Sequence, residues 1–268
     1  MKFSVVTISF NQAEFLERAI LSVLSQDHDV EFIVVDAGST DGSRDIIERY
    51  RHAIAHVIYE KDDGPADGLN RGFLRAKGDI YCYLNSDDVF EPDAFSKAEL
   101  FFEGNPDADV ICGHAWATDA QDNHLRRIWS DPYRRLPVAY GASVQIQPST
   151  FIRRKAFLKS GGFRVDNRSN WDAELLVDLF ETGASIKIVD EILSSYRLHA
   201  TSITSTGKLH DLIQLWDERR FERLMKRKPQ PFDRYVGLLL RAYKHLAHPQ
   251  AFLERLRHGP LYRSGTAR

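Results

Sequence analysis

Asp87 and Asp88 follow directly on the apolar segment running from Ile80 to Leu84, and they are the most chemically suggestive residues in the chain. Carboxylates on a turn at the C-terminal end of a strand suit a hard divalent cation, which takes oxygen ligands and commonly holds substrate phosphates as well. Three further polar clusters follow apolar segments in the same way. In TISFNQ, residues 7 to 12, Phe10 can stack on a base, and Asn11 can hydrogen-bond to one or cap the next helix. In VVDAGSTDGS, residues 34 to 43, Asp36 can accept from a base N–H or a ribose hydroxyl, while Gly38 permits close backbone approach. Asp41 and Gly42 suit the turn and the helix start. In EKDDGPADGLNRG, residues 60 to 72, Asp62, Asp63 and Asp67 are more acids than a simple turn requires, although a solvated loop also accounts for them. Asn70 and Arg71 open the next helix and are candidates to hold a nucleotide.

These clusters need a scaffold that brings strand ends together, and the periodicity supplies one. Strand patterns at Phe3–Ser9, Glu31–Asp36, Ala55–Glu60, Ile80–Leu84 and Ala108–Cys112 alternate with helical spacing over Ala13–Gln26, around Ile46, Ile47 and Tyr50, over Ala66–Ala76 and over Ala94–Glu103. That order predicts an α/β fold with a Rossmann-like, mostly parallel central sheet flanked by helices. Ligands of such open sheets bind at the carboxyl ends of the strands. Beyond residue 115 the pattern loosens: Asp119–Arg135 reads as hairpin or loop, Val144–Ile152 and Ile186–Ile192 as strands, and Asp172–Glu181 as a helix. From Leu209 the chain reads as helical, broken at Pro229, Pro231 and Pro249.

The segments SVVTISFNQAEFLERAILSVLSQ, FIVVDAGSTDGSRDII, EKDDGPADGLNRG and GDIYCYLNSDD, in this order, resemble the inverting family 2 glycosyltransferases of the GT-A fold, over roughly residues 1 to 200. The resemblance implies a nucleotide-sugar donor, expected to be a UDP-sugar, an Mn²⁺ or Mg²⁺ ion on its diphosphate, and inversion at the anomeric carbon. The family's Asp-X-Asp metal motif reads Asn85-Ser86-Asp87 here, so the first acid is absent. Asp87 takes the metal position, Asp88 assists, and Asn85 is assigned to the donor side with Phe10, Asn11, Asp36, Gly38, Asp63, Asp67, Asn70 and Arg71. A second acid frequent after strand two is replaced by Ala37. NWDAELL, residues 170 to 176, matches the segment carrying the catalytic base, which implies Asp172 for that role, with Glu174 in reserve. A first-turn acid favoured by the helix dipole is the plainer account of Asp172. YRLHATSIT, residues 196 to 204, implies His199 as a third metal ligand. GGFRVD, residues 161 to 166, Gln147-Pro148-Ser149 and Arg153-Arg154 are candidates to contact acceptor or pyrophosphate.

The resemblance divides the chain into a GT-A domain over 1–208, with a nucleotide-binding half (1–115) and an acceptor half (116–208), and a helical C-terminal extension over 209–268. At 268 residues and net charge −2, the chain can bury a sizeable core and gives no electrostatic case for nucleic acid. No apolar run approaches the roughly 20 residues that span a bilayer, and the N-terminus enters a strand pattern without a signal core, so a cytoplasmic enzyme is expected. Cys82 and Cys112 read as buried thiols. In the extension, Tyr235, Leu238, Leu239, Ala242 and Leu246 form an apolar stripe flanked by Arg234, Arg241 and Lys244. It fits either a helix packed on the domain or one resting peripherally on the inner face of a membrane, where a lipid-linked glycan acceptor would be met. Two other readings compete. A nucleotidyltransferase would need the Gly-rich, basic phosphate cradle that the first loop lacks. A degenerate sugar-nucleotide-binding module fits the loss of an acid at Asn85 but not the retention of Asp87 and Asp172. A dehydrogenase is disfavoured because no GxGxxG follows the first strand.

Overall fold

The computed structural model describes residues 1–199, 202 and 210–259. Nine strands are described: β1 (Phe3–Ser9), β2 (Val30–Asp36), β3 (His56–Ile58), β4 (Ile80–Asn85), β5 (Val89–Phe90), β6 (Val110–Thr118), β7 (His124–Ile128), β8 (Thr150–Arg153) and β9 (Ile186–Arg197). The helices are α1 (Ala13–Leu24), α2 (Ser43–Arg49), α3 (Pro65–Phe73), α4 (Ala94–Gly104), α5 (Arg135–Ala139), α6 (Arg154–Ser160), α7 (Trp171–Glu181), α8 (His210–Met225), α9 (Asp233–Ala247) and α10 (Pro249–His258).

The sheet order is β3-β2-β1-β4-β8-β6-β9-β5, with β7 pairing β6. The first four strands are parallel, as the alternating pattern predicts. Their side chains divide between two cores by the strand period of two. Val5, Phe32, Val34, Cys82 and Leu84 face a cluster with Leu16, Ile20 and Phe95. Val6, Ile33, Val35, Tyr81 and Tyr83 face the other, with Leu69, Leu175 and Leu179. Burial of both faces explains why these strands read as nearly continuous apolar runs. Cys82 and Cys112 are buried and unpaired, and burial pushes the Cys112 thiol up to about 12.

Three expectations change in the second half. The 108–112 segment does not lie beside β4: β8 inserts between them, antiparallel to both. The strand expected over 144–152 is confined to Thr150–Arg153, after a short 3₁₀ turn at Gln147–Ser149. Pro148 fixes its φ and has no N–H for a ladder, so pairing begins beyond it. The last strand runs on to Arg197, with register shifts along β6, and carries the chain back to the end of β4.

Residues beyond 209 begin by completing the domain. Trp216 and Leu224 of α8 belong to the same core as Leu175 and Leu179 of α7. Trp216→Ala should therefore destabilise the whole fold by about 3–5 kcal/mol, checked by urea denaturation, rather than release a separate tail. Residues 260–268 of the expected extension lie outside the described residues.

Candidate active site

Asp36 is fully buried at the end of β2. Its Oδ1 accepts from the N–H of Gly38 (3.1 Å), the N–H of Ser39 (2.9 Å) and Nε of Arg44 (2.9 Å). Burial works against its charge, but the bonds from Ser39, Arg44 and Gly38 outweigh this and hold the carboxyl below its usual range. Oδ2 is buried with no hydrogen-bond partner among the described residues. An ionised, acceptor-only oxygen left in that state suits an incoming N–H or hydroxyl. Arg44 was not singled out from the sequence. Its signal was its place in the first turn after the Asp36 loop.

The neighbouring loop is tied to this one. Asn11 adopts φ 53°, and its Oδ1 accepts from the N–H of Thr40 at 2.9 Å. Its own N–H donates to Ser39 Oγ at 2.9 Å. Asn11 therefore bridges two loops and does not cap α1. That task falls to Asp41, whose Oδ2 accepts from the N–H of Ala13 at 2.8 Å, while Oδ1 accepts from Ser43. Phe10 projects from this edge with 59% of its surface exposed, and Gly38 has φ 113° with open space around its Cα.

At the end of β4, the two acids have different environments. Asp88 is nearly fully buried, and its Oδ1 accepts from the N–H of Arg197 at 3.0 Å. Its Oδ2 has no partner among the described residues. Desolvation, reinforced by the charge of Asp87, pushes its pKa well above the usual carboxylate range. Asp87 is half-exposed, with Oδ2 3.0 Å from Nε2 of His199. The pair is 112 residues apart in sequence and is brought together by the length of β9. The His199 ring lies 4.5 Å from that of Phe15. Arg197, buried beneath this pair, donates from Nε to the Asp87 carbonyl (2.6 Å) and ion-pairs with Asp122. Sequence reading passed over Arg197, although it lies two residues before His199 in the same motif. Residues 200, 201, 203 and 204 of that motif lie outside the described residues.

No preassembled group of three or more His, Cys, Asp or Glu side chains fit to hold a metal occurs among the described residues. The donor set nonetheless fits Mn²⁺ or Mg²⁺: one accessible carboxylate, one imidazole and the unpartnered Asp88 oxygen, with further positions left for phosphate and water. Asn85 donates from Nδ2 to Gln147 Oε1 at 2.9 Å, and Gln147 donates to the Tyr83 carbonyl at 2.9 Å. The 147–149 segment thus braces the motif from behind.

The loop after β3 is largely engaged with itself. Asp67 accepts from the N–H of Asp63 (3.0 Å) and ion-pairs with Arg71 (2.8 Å), which also reaches Glu60 (3.3 Å) and the Lys61 carbonyl (3.0 Å). Asp63 is exposed, and its carbonyl accepts from Arg168. Asn70 forms a two-point contact with the Phe163 backbone, donating to its carbonyl at 2.8 Å and accepting from its N–H at 2.9 Å. Its side chain therefore anchors the Gly161-Gly162-Phe163 turn, where a Cβ at Gly162 would meet Asn70 Oδ1 at 2.9 Å. Asp62 lies closer to the strand ends: a Cβ at Gly68 would meet both its Oδ2 (2.6 Å) and Ile8 Cγ2 (3.2 Å). Arg153 and Arg154 are at the wrong edge of the sheet. Because β8 runs antiparallel to β4, Arg153 pairs with Ile80 at the start of β4, and its guanidinium caps the carbonyls of Ala108 and Phe102.

Asp172 opens α7, half-buried. Near it, Trp171 packs on Tyr83 (5.7 Å) and Phe163 (5.6 Å). Desolvation raises its pKa, only partly offset by backbone hydrogen bonds. A carboxyl so placed is a stronger base than a solvated one. Glu174, the reserve, is buried and occupied: Asn167 donates at 2.8 Å and Arg223 at 3.1 Å. Arg223 and Arg164 also bind Asp178. This network joins α7 to α8 and leaves Glu174 as a structural anchor.

A family model described as "Glycosyl transferase family 2" matches residues 4–161. The uncharacterized glycosyltransferase alr2836 of Nostoc sp. is 37% identical over 214 residues, 75% of this chain and 66% of the relative, so the chain spans just under two thirds of that protein. TuaG of Bacillus subtilis, whose name provisionally assigns it to teichuronic acid biosynthesis, is 40% identical over 207 residues, covering 75% of this chain and 81% of TuaG. Among solved structures, Staphylococcus aureus TarS 1–349 with UDP-GlcNAc aligns with TM-score 0.69 at 17% identity, covering 99% of this chain and 74% of that one. The mannosyltransferase PcManGT of Pyrobaculum calidifontis, with GDP-Man and Mn²⁺, aligns with TM-score 0.63 at 18% identity, covering 96% and 73%. These two likenesses agree with the GT-A architecture that the motif order implied. On the family match and the identity of these relatives, the chain belongs to glycosyl transferase family 2.

Proposed function

We propose that this glycosyltransferase moves a sugar from a UDP-sugar to a hydroxyl of a glycan or lipid-linked acceptor, with inversion and with a divalent metal, in the cytoplasm. One observation carries the reading. Two buried carboxylates at one sheet edge, Asp36 and Asp88, each have one oxygen engaged by the chain and the other unpartnered. Unsatisfied buried acceptors in a native fold call for a partner, which a ligand, an ion or an ordered water supplies.

In this reading Asp36 Oδ2 accepts from the base or ribose, and Phe10 stacks on the base. Asp87, His199 and Asp88 would hold Mn²⁺ or Mg²⁺. When bound, the metal supplies positive charge to the diphosphate as the sugar–phosphate bond breaks. Asp172 takes the proton of the acceptor hydroxyl, and that oxygen attacks the anomeric carbon opposite the leaving diphosphate. The raised pKa of Asp172 increases its proton affinity, while the aromatic wall of Trp171, Tyr83 and Phe163 limits water around it. Asn70 and Gln147 act through other groups, by fixing the glycine turn and the β4 motif. UDP-GlcNAc in TarS and GDP-Man with Mn²⁺ in PcManGT support a nucleotide-sugar donor here.

A screen of nucleotide-sugars by thermal shift, with and without Mn²⁺, tests the proposal. Stabilisation by a UDP-sugar that grows with Mn²⁺ is expected; none by any nucleotide-sugar would sink it. Within that assay, Asp36→Ala should weaken donor binding by about ten-fold or more, since a hydrogen bond to a charged group contributes about 1.5–3 kcal/mol. An unchanged donor Kd would remove Asp36 from the donor site.

A further inference from the structure

Helix α9 is amphipathic, but it is turned the opposite way from an ordinary packed helix. Toward the domain it presents Asp233, Gly237 and Lys244. Asp233 is buried and accepts from Arg227 (2.7 Å) and from the Tyr140 hydroxyl (2.6 Å). Gly237 lies over the Tyr140 ring, and Lys244 ion-pairs with the buried Asp131 at 2.6 Å. The apolar side faces out: Tyr235 is 55% exposed, Leu238 60%, Leu239 70%, Tyr243 62% and Leu246 82%. At 100° per residue these side chains share an arc of about 140°. Arg234 and Arg241, both exposed, border that arc on one side. Helix α10 repeats the arrangement, with Phe252, Leu253 and Leu256 exposed between Arg255 and Arg257. The polar side of α9 is already satisfied within the domain, so its apolar side marks an interaction surface.

We propose that the outward faces of α9 and α10 dock this protein on an anionic lipid surface. The charge selects that occupant over a second copy of the chain. Residues 226–259 hold eight Lys and Arg against two acids; Lys226, Arg227 and Lys244 are paired with Glu181, Asp233 and Asp131, which leaves Lys228, Arg234, Arg241, Arg255 and Arg257 against Glu254. A self-complementary dimer through this face would bring like-charged arginine rows together. Anionic headgroups neutralise those rows while the leucines and tyrosines enter the acyl boundary, which is how a basic interfacial helix binds. No helix among the described residues is long and apolar enough to cross a membrane, so the contact is peripheral. The docking involves none of the donor-site residues and does not depend on the reading of the reaction. It adds a means of meeting a lipid-linked acceptor.

Flotation of the full chain with phosphatidylglycerol–phosphatidylcholine vesicles, against pure phosphatidylcholine, tests this. Binding to the anionic vesicles, weakened by salt, is expected. Arg234→Gln with Arg241→Gln should lower the affinity by about 30-fold, at roughly 1 kcal/mol per arginine near the surface. Leu239→Ser with Leu246→Ser should lower it at least about ten-fold. Both pairs are exposed, so thermal stability and transfer to a soluble acceptor should stay as in the wild type. Absence of vesicle binding, or binding that neither pair weakens, overturns the proposal. A dimer by sedimentation equilibrium that the leucine pair dissociates, without vesicle binding, also overturns it and assigns the face to a second copy. Donor thermal shifts are read separately, so failure here is distinguishable from failure of the glycosyltransfer mechanism.

Discussion

Asp172→Asn is expected to lower the rate of sugar transfer by about 10²–10⁴-fold while leaving nucleotide-sugar affinity unchanged, since general-base catalysis contributes on that order. The variant should fold as well as the wild type. Desolvation raises the folded-state pKa of Asp172, so the folded chain binds this proton more tightly than the unfolded chain does. The sign follows: stability from this group is greatest at low pH and falls as pH rises from the unfolded value through the folded one. A neutral asparagine avoids that cost at neutral pH. In the wild type, kcat/KM should rise as Asp172 ionises and then level off, with the midpoint above the ordinary Asp range; the variant should lack this limb. A plain helix-dipole acid predicts the opposite pattern, a loss of about 0.3–1 kcal/mol in stability with normal transfer. Single-turnover rates and melting temperatures at several pH values separate the two. Transfer at the wild-type rate would remove Asp172 from the reaction.

The second large effect concerns Asp87. Asp87→Ala should reduce metal-dependent donor binding by at least about 100-fold, since metal affinity and activity are sensitive even to groups one shell further out. The fold should survive, because the Asp87 contact to Arg197 is made by its backbone carbonyl, which alanine retains. His199→Ala should shift the Mn²⁺ titration in the same direction. Asp88→Ala should behave differently, losing stability as well, because it leaves the buried N–H of Arg197 without its acceptor. An Asp87→Ala protein with a wild-type Mn²⁺ titration would show that the metal is held elsewhere or is not needed. The Asp87 and Asp88 variants separate two groups that a sequence motif runs together.

Particular residues show which parts of this fold could be read in advance. The strands read over Glu31–Asp36 and Ile80–Leu84 were legible because short apolar runs bounded by turn residues are local properties. So was the helix read over Ala66–Ala76, which the structure starts one residue earlier, at Pro65, whose missing N–H belongs at a first turn, and ends at Phe73. Arg153 was misplaced because antiparallel pairing of β8 with β4 depends on partners some 70 residues away, and nothing in TFIR states its direction. Asn70 reads as a donor contact because its sequence neighbours are polar; the hydrogen bonds it makes in the structure are to the Phe163 backbone, 93 residues distant. Glu174 and Asp172 are indistinguishable as first-turn acids by spacing. Only packing decides that one meets Asn167 and Arg223 while the other lies at an aromatic wall.

The sequence by itself determined the parallel half of the sheet, the edge at which its loops gather, and the family, because strand period, turn residues and motif order are written in short segments. Tertiary structure alone decided that Asp36 and Asp88 each keep one buried oxygen unpartnered, and that α9 turns its apolar side outward. Each of these depends on which distant group satisfies a given polar atom, and that is settled by the balance of burial and hydrogen bonding across the whole chain, not within any one segment.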